Sequence, residues 1–120
     1  NKDDSNGEKI KKVIQDAYLE NFINTLPEKT KTIVGPDGKQ ISGGQAQRLA
    51  IARALHQDPK LIIFDEATNS LDENTEEEII KNIYELGKNK TIIIITHKQS
   101  LLKNCDKIFK IEEGKLLRTN

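Results

Sequence analysis

The sequence predicts an α/β chain in which a helical segment is followed by a lobe built on a parallel sheet. Three observations predict it. The run Leu61-Ile62-Ile63-Phe64 is wholly apolar, the pattern of a strand buried on both faces. Thr91-Ile92-Ile93-Ile94-Ile95-Thr96 is β-branched throughout, which favours a pleated strand over a helix. Between them Ile79, Ile80, Ile83 and Leu86 recur at helical spacing, so the three stretches together predict a right-handed βαβ unit with parallel strands.

The elements follow in order. Residues 1–7 are polar and charged and are expected to fray. From Glu8 to Tyr18 the residues Ile10, Val13, Ile14 and Ala17 predict a helix, and a second short helix over Leu19–Thr25 stops before Pro27. Residues 28–40, with Val34-Gly35-Pro36-Asp37-Gly38, predict a loop with a tight turn. The next helix starts at Ser42, because Gln45 stands three residues on, at the spacing of a reciprocal capping box. Leu49, Ala52 and Leu55 share its inner face, and Asp58-Pro59 ends it. Thr75 and Glu78 repeat the capping spacing ahead of the helix that ends near Gly87. After the second strand come a short helix, about Gln99–Lys103, and a closing hairpin of Lys107–Ile111 and Lys115–Leu117 around Glu112-Glu113-Gly114.

Composition narrows the function classes. Of the 120 residues, 35% are hydrophobic and 32% charged, which describes a globular chain with a heavily charged surface. Nineteen basic side chains balance nineteen acidic ones, so no nucleic acid is expected as a partner held by bulk charge. Cys105 is the one cysteine and cannot form an internal disulfide, which fits a reducing, intracellular setting. With only His56 and His97 beside it, a zinc cluster of the Cys/His type is excluded. The apolar runs Leu61–Phe64 and Ile92–Ile95 are far too short to span a bilayer.

Open α/β sheets bind ligands at the carboxyl ends of their strands. Two polar loops stand at that place: Asp65-Glu66 after the first strand and Thr96-His97 after the second. Adjacent carboxylates at a strand end point different ways. One can hold a divalent cation through water while the other orients and deprotonates an attacking water. A histidine one strand over can reach the same volume and contact a phosphate oxygen. Each residue taken singly also reads as a solvated loop position; the set together reads as a site.

The residues now carry a resemblance. Ile41-Ser-Gly-Gly-Gln45 resembles the signature sequence of ATP-binding cassette (ABC) ATPases. Leu61-Ile-Ile-Phe-Asp65 with Glu66 resembles their Walker B motif and catalytic glutamate, Ser70-Leu-Asp72 their D-loop, and Thr96-His97 their switch-histidine loop. Four motifs in order and spacing cover roughly residues 28–117. The resemblance implies a partial P-loop NTPase (ABC ATPase) fold, with residues 1–57 in the helical, signature-bearing subdomain and 58–120 in the C-terminal part of the RecA-like catalytic lobe.

It also implies roles. Asp65 would coordinate Mg²⁺ through water, and Glu66 would be the general base in ATP hydrolysis. His97 would contact the γ-phosphate. Ser42, Gly43 and Gly44, at a helix N-terminus, would offer a hydroxyl and backbone N–H groups to a γ-phosphate, with Gln45 a cap and ribose-side neighbour. Asp72 would sit at the seam of a head-to-tail dimer with a second nucleotide-binding domain, identical or not, so that the signature serves ATP bound on the opposite subunit.

Glu66-Ala67-Thr68 resembles the exporter branch, as does Thr32–Gly38, which is similar to the loop that touches a transmembrane domain. The implied setting is the cytoplasmic face of a membrane. A soluble ABC ATPase of DNA repair or translation shares the motifs, and a non-catalytic module completing a partner's ATP site is a further alternative.

A Walker A loop requires Gly-x-x-x-x-Gly-Lys-Ser/Thr. Gly38-Lys39, Gly87-Lys88 and Gly114-Lys115 are followed by Gln40, Asn89 and Leu116 instead. The chain is therefore expected to be the second half of such a domain, starting inside the helical subdomain and inactive by itself. The Walker A strand is expected between the strand before His97 and the Lys107 strand, which leaves an apolar edge on Thr91–Thr96 prone to association. His56 is expected to act as a charge at a helix C-terminus and Cys105 as packing. Arg48 and Arg53 are expected in a surface or inter-lobe salt bridge, with a place near the nucleotide as the alternative. Lys98 stands where the exporter pattern often has arginine and carries no expected role.

Overall fold

Helix α1 (Lys2–Asp16) reaches further toward the N-terminus than its apolar stripe predicted. The computed structural model describes residues 2–119, without the side chains of residues 2–5, 86 and 87. Residues 2–7, expected to fray, continue the helix. Once Val13 and Ala17 are packed, each further residue adds a hydrogen bond without a new nucleus. Asn1 lies outside the described residues. The helix stops before Tyr18 because that residue turns into the left-handed region, at φ 57°. Leu19 N–H then donates to Ile14 O and Tyr18 N–H to Gln15 O, each at 2.9 Å, closing the helix end without a glycine. The turn drives Leu19 wholly into the core.

Helix α2 (Glu20–Thr25) and one 3₁₀ turn (Lys29–Lys31) lead into the predicted loop. There Gly35 N–H donates to Lys39 O at 3.1 Å and Lys39 N–H to Ile33 O at 2.9 Å. A Cβ on Gly38 would stand 2.2 Å from Ile33 O, so close backbone approach, not an unusual φ, demands glycine here. Helix α3 (Gly43–His56) opens with both halves of the predicted capping box. Ser42 N–H donates to Gln45 Oε1 at 2.8 Å, and Gln45 N–H donates to Ser42 Oγ at 3.2 Å. Ile51, Ala52 and Leu55 are its buried residues, and Leu49 packs against them.

Strand β1 (Leu61–Asp65), helix α4 (Glu73–Gly87) and strand β2 (Thr91–Ile95) form the expected strand–helix–strand unit. Leu61 lies opposite Thr91, and Asp65 opposite Ile95, in a parallel pair. Helix α4 begins two residues before the expected Thr75. Its cap is Asp72, whose Oδ2 accepts from Thr75 N–H at 3.1 Å and whose carbonyl accepts from Glu76 N–H at 2.9 Å. Aspartate outranks threonine as a cap, so the earlier start wins. Ile79 and Ile83 are buried and Ile80 half-buried; Leu86, also expected inward, lies outside the described side chains.

One face of the pair carries the core. Ile62 and Phe64 are buried there, with Ile92 and Ile94 alongside, against Val13, Ala17, Leu19, Ile51, Leu55, Ile79 and Ile83. The core thus draws on both sides of residue 57. The opposite face corrects the expectation that Leu61–Phe64 is buried on both sides: Leu61 is 49% exposed, Ile63 57%, Ile93 45% and Ile95 49%. Helices α1, α3 and α4 all meet the sheet on the Ile62/Phe64 side, and no described element covers the other.

A 3₁₀ turn (Gln99–Leu102) takes the place of the short helix expected at 99–103 and buries Leu101. Strands β3 (Phe109–Glu112) and β4 (Lys115–Arg118) form the closing hairpin, a separate two-stranded sheet with every residue exposed. Glu113 (φ 49°) and Gly114 (φ 73°) both take left-handed backbone, as a tight two-residue hairpin turn requires. Among the described residues, no helix is long and apolar enough to cross a membrane.

Candidate active site

Asp65 ends β1 on the exposed face, level with Ile95 across the register. The chain then turns sharply at Glu66, whose φ of 49° is left-handed. For a residue with a Cβ that backbone costs about 1–2 kcal/mol, a strain of the kind that gathers at functional sites. Glu66 N–H donates to Ile95 O at 2.9 Å, so the turn is sewn to the end of β2. The two adjacent carboxylates thereby diverge. Asp65 stays on the strand, and Glu66 Oε1 comes within 3.1 Å of His97 Nε2. The other oxygen, Oε2, accepts from Asn69 Nδ2 at 2.8 Å. The His97 side chain is 93% exposed and that of Glu66 40%, so the contact adds little stability and matters for geometry.

His97 is followed by an anchor. Lys98 N–H donates to Thr96 Oγ1 at 3.0 Å, and Lys98 Nζ reaches Glu76 Oε1 at 2.6 Å. Glu76 is nearly buried in the first turn of α4. Lys98, given no role from the sequence, therefore ties the His97 loop to that helix.

The second group lies at the start of α3. Ser42 Oγ accepts from Gln45 N–H, which leaves the hydroxyl proton free to be donated outward. The N–H groups of Gly43 and Gly44 belong to the first turn and have no acceptor within the helix. They point the positive end of the helix dipole at whatever stands there. The glycines also have a second cause. A Cβ on Gly44 would lie 3.1 Å from Ser70 O, and one on Gly43 3.6 Å from Ser70 Cβ. The loop 66–72 packs against this helix end, and Ser70 N–H donates to Gln47 Oε1 at 3.0 Å. Asp72 closes the loop. Hydrogen bonding from Thr75, its hydroxyl first and then its N–H, holds the Asp72 carboxyl below the usual carboxylate range.

The structure therefore pairs Glu66 with His97 directly, and connects Ser42–Gln45 to them through loop 66–72. Three residues of this arrangement were not singled out from sequence: Gln47, Asn69 and Glu76. Asn69 is only three residues from its partner, but its side chain bonds the Glu66 carboxylate rather than backbone, a contact that no residue pattern specifies. Gln47 and Glu76 had no local signal either, because their partners are distant in the chain. Among the described residues neither Arg48 nor Arg53 makes an ion pair of the expected kind; Arg48 Nη1 donates to Tyr18 O at 2.7 Å and pins the end of α1 to α3. Cys105 Sγ donates to Leu101 O at 3.4 Å, a packing contact.

Residues 2–69 match the family model described as ABC transporter. The chain belongs to the ABC transporter family. This ABC segment is 47% identical over 114 residues to the alpha-hemolysin translocation ATP-binding protein HlyB of Escherichia coli, an alignment covering 92% of the chain and 16% of that relative. It is 48% identical over 109 residues to multidrug resistance protein 1 of Plasmodium falciparum, covering 89% of the chain and 8% of that protein. A solved structure of a bacterial Atm1-family ABC exporter with ATP bound superimposes with a TM-score of 0.81 at 36% identity, over 91% of the chain and 19% of that structure's chain. The ABC segment thus spans a small fraction of the relatives it matches, and its fold is the partial α/β ABC ATPase fold expected from the sequence.

Proposed function

We propose that this chain is the C-terminal part of the nucleotide-binding domain of an ABC exporter, residues 1–57 belonging to the helical subdomain and 58–120 to the catalytic lobe. ATP is bound and hydrolysed in a head-to-tail dimer of such domains, powering export through a transmembrane domain from the cytoplasmic face of a membrane. The observation that carries the reading is the 3.1 Å approach of Glu66 and His97 from two different strand ends.

In this reading Glu66 takes a proton from the attacking water, and His97 contacts the γ-phosphate. Ser42 Oγ–H and the N–H groups of Gly43 and Gly44 donate to the γ-phosphate of ATP held by the opposite subunit, with Gln45 fixing Ser42 through the capping box. Asp72 stands at the dimer seam. Asp65 would hold Mg²⁺ through water. Among the described residues, no group of three or more His, Cys, Asp or Glu side chains is arranged to cage a metal. A lone strand-end carboxylate fits a magnesium ion bound mainly by phosphates and water. When bound, that ion neutralises charge on the phosphate oxygens.

Glu66→Gln in the full-length protein tests the reading. ATP binding is expected to persist while turnover falls by about 10²–10⁴-fold, the usual contribution of a general base. Unchanged steady-state hydrolysis would remove Glu66 from that role.

A further inference from the structure

Glu66 has a neighbour at each carboxylate oxygen, and the proposed function accounts for only one of them. His97 Nε2 stands at Oε1; Asn69 Nδ2 donates to Oε2 at 2.8 Å. Asn69 also closes the turn behind the glutamate, its own N–H donating to Glu66 O at 3.2 Å. One residue further on, the loop is fixed from outside by the bond from Ser70 N–H to Gln47 Oε1 at 3.0 Å. Gly44 leaves the space into which Ser70 O fits.

We propose that Asn69 is a positioning residue for Glu66, and that Gln47 fixes the loop carrying both of them to helix α3. A glutamate has three rotatable side-chain bonds, and this one is partly open to solvent, so a single contact leaves its carboxylate free to swing. The Asn69 donor at Oε2, with His97 close against Oε1, restricts the direction in which the carboxylate can point. A carboxamide does this without a charge; a lysine or arginine in its place would neutralise the group by ion pairing. The inference rests on Glu66 being the base in ATP hydrolysis.

The test is the kcat and KM for ATP of the purified full-length protein carrying changes at 69 and 47, each with and without Glu66→Gln. Asn69→Ala is expected to lower kcat by about ten- to a hundredfold, the scale of a misplaced catalytic group, with KM little changed. Asn69→Asp, equal in size but with a repelling charge for a donor, falls further while its thermal midpoint stays near that of the parent. Gln47→Glu keeps an acceptor for Ser70 N–H and retains most of the rate; Gln47→Leu loses the acceptor and behaves like Asn69→Ala. On the Glu66→Gln background Asn69→Ala adds no further loss, because the group it positions is gone. Wild-type kcat in Asn69→Ala, or an equal further loss on the Glu66→Gln background, overturns the proposal. Wild-type turnover in Glu66→Gln itself overturns the base assignment instead, so the two failures are told apart.

Discussion

Lys98 Nζ lies 2.6 Å from Glu76 Oε1, joining the residue after His97 to the first turn of α4. The carboxylate side chain is 12% exposed and the lysine 35%, so the pair is half-sheltered. Removing the lysine leaves a nearly buried charge without its partner. Lys98→Ala is expected to cost about 1–3 kcal/mol, short of the ~3–5 kcal/mol typical of breaking a fully buried pair. Lys98→Arg should cost little. Denaturant midpoints check both, and an unchanged midpoint in Lys98→Ala would show that the pair carries no stability.

Acid sensitivity is expected at two exposed aspartates. Asp72 is held below the usual range by hydrogen bonding from Thr75, and Asp58 by the hydrogen bond and charge of Lys90. A depressed folded pKa stabilises the fold above the ordinary aspartate value of about 3.9, and that contribution is lost as pH falls through the depressed values. Asp16 works in the opposite sense, because burial raises its pKa against the opposing charge of Lys12. Its protonation on acidification relieves a cost. Asp72→Asn and Asp58→Asn should flatten the acid limb of a midpoint-versus-pH curve, whereas Asp16→Asn should stabilise at neutral pH. Parallel acid limbs in parent and Asp72→Asn would contradict the assignment.

Gly38 and Gly44 are crowded to different degrees. An added Cβ at Gly38 meets the Ile33 carbonyl oxygen at 2.2 Å and its carbon at 2.6 Å, and backbone atoms cannot swing aside. Gly38→Ala is expected to destabilise by about 1–3 kcal/mol, as overpacking does. At Gly44 the nearest atom is Ser70 O at 3.1 Å, which has to give by only a few tenths of an ångström. Gly44→Ala should therefore leave the midpoint nearly unchanged and instead speed hydrogen exchange at Ser70 N–H, the donor to Gln47.

The uncovered sheet face predicts association of the 120-residue segment produced alone. Leu61, Ile63, Ile93 and Ile95 form a contiguous apolar surface, and the sheet they sit on has two strands. Light scattering should report a mass above that of a monomer, rising with concentration. Ile63→Lys with Ile93→Lys should lower it. A monodisperse monomer at all concentrations would count against this surface being sticky.

Much of the fold was legible because its causes are local. The Ser42–Gln45 capping box, the β-branched run at 91–95 and the helical spacing of Ile79 and Ile83 each act over a few residues, so their residue types suffice. Two local readings failed where neighbouring signals competed. Thr75 lost the cap to Asp72 three residues earlier, and Tyr18 ended α1 in a conformation usually left to glycine.

The sequence by itself determined the order of elements, the parallel pairing and the identity of Asp65, Glu66 and His97 as polar strand-end groups. Tertiary structure alone decided which partner each group meets. Ser70 finds Gln47 across 23 positions, Lys98 finds Glu76 across 22, and Arg48 finds Tyr18 across 30. It also decided which face of β1 the described residues bury and which they leave open. Periodicity marks a residue as apolar, but whether a helix arrives to cover it depends on where distant parts of the chain pack.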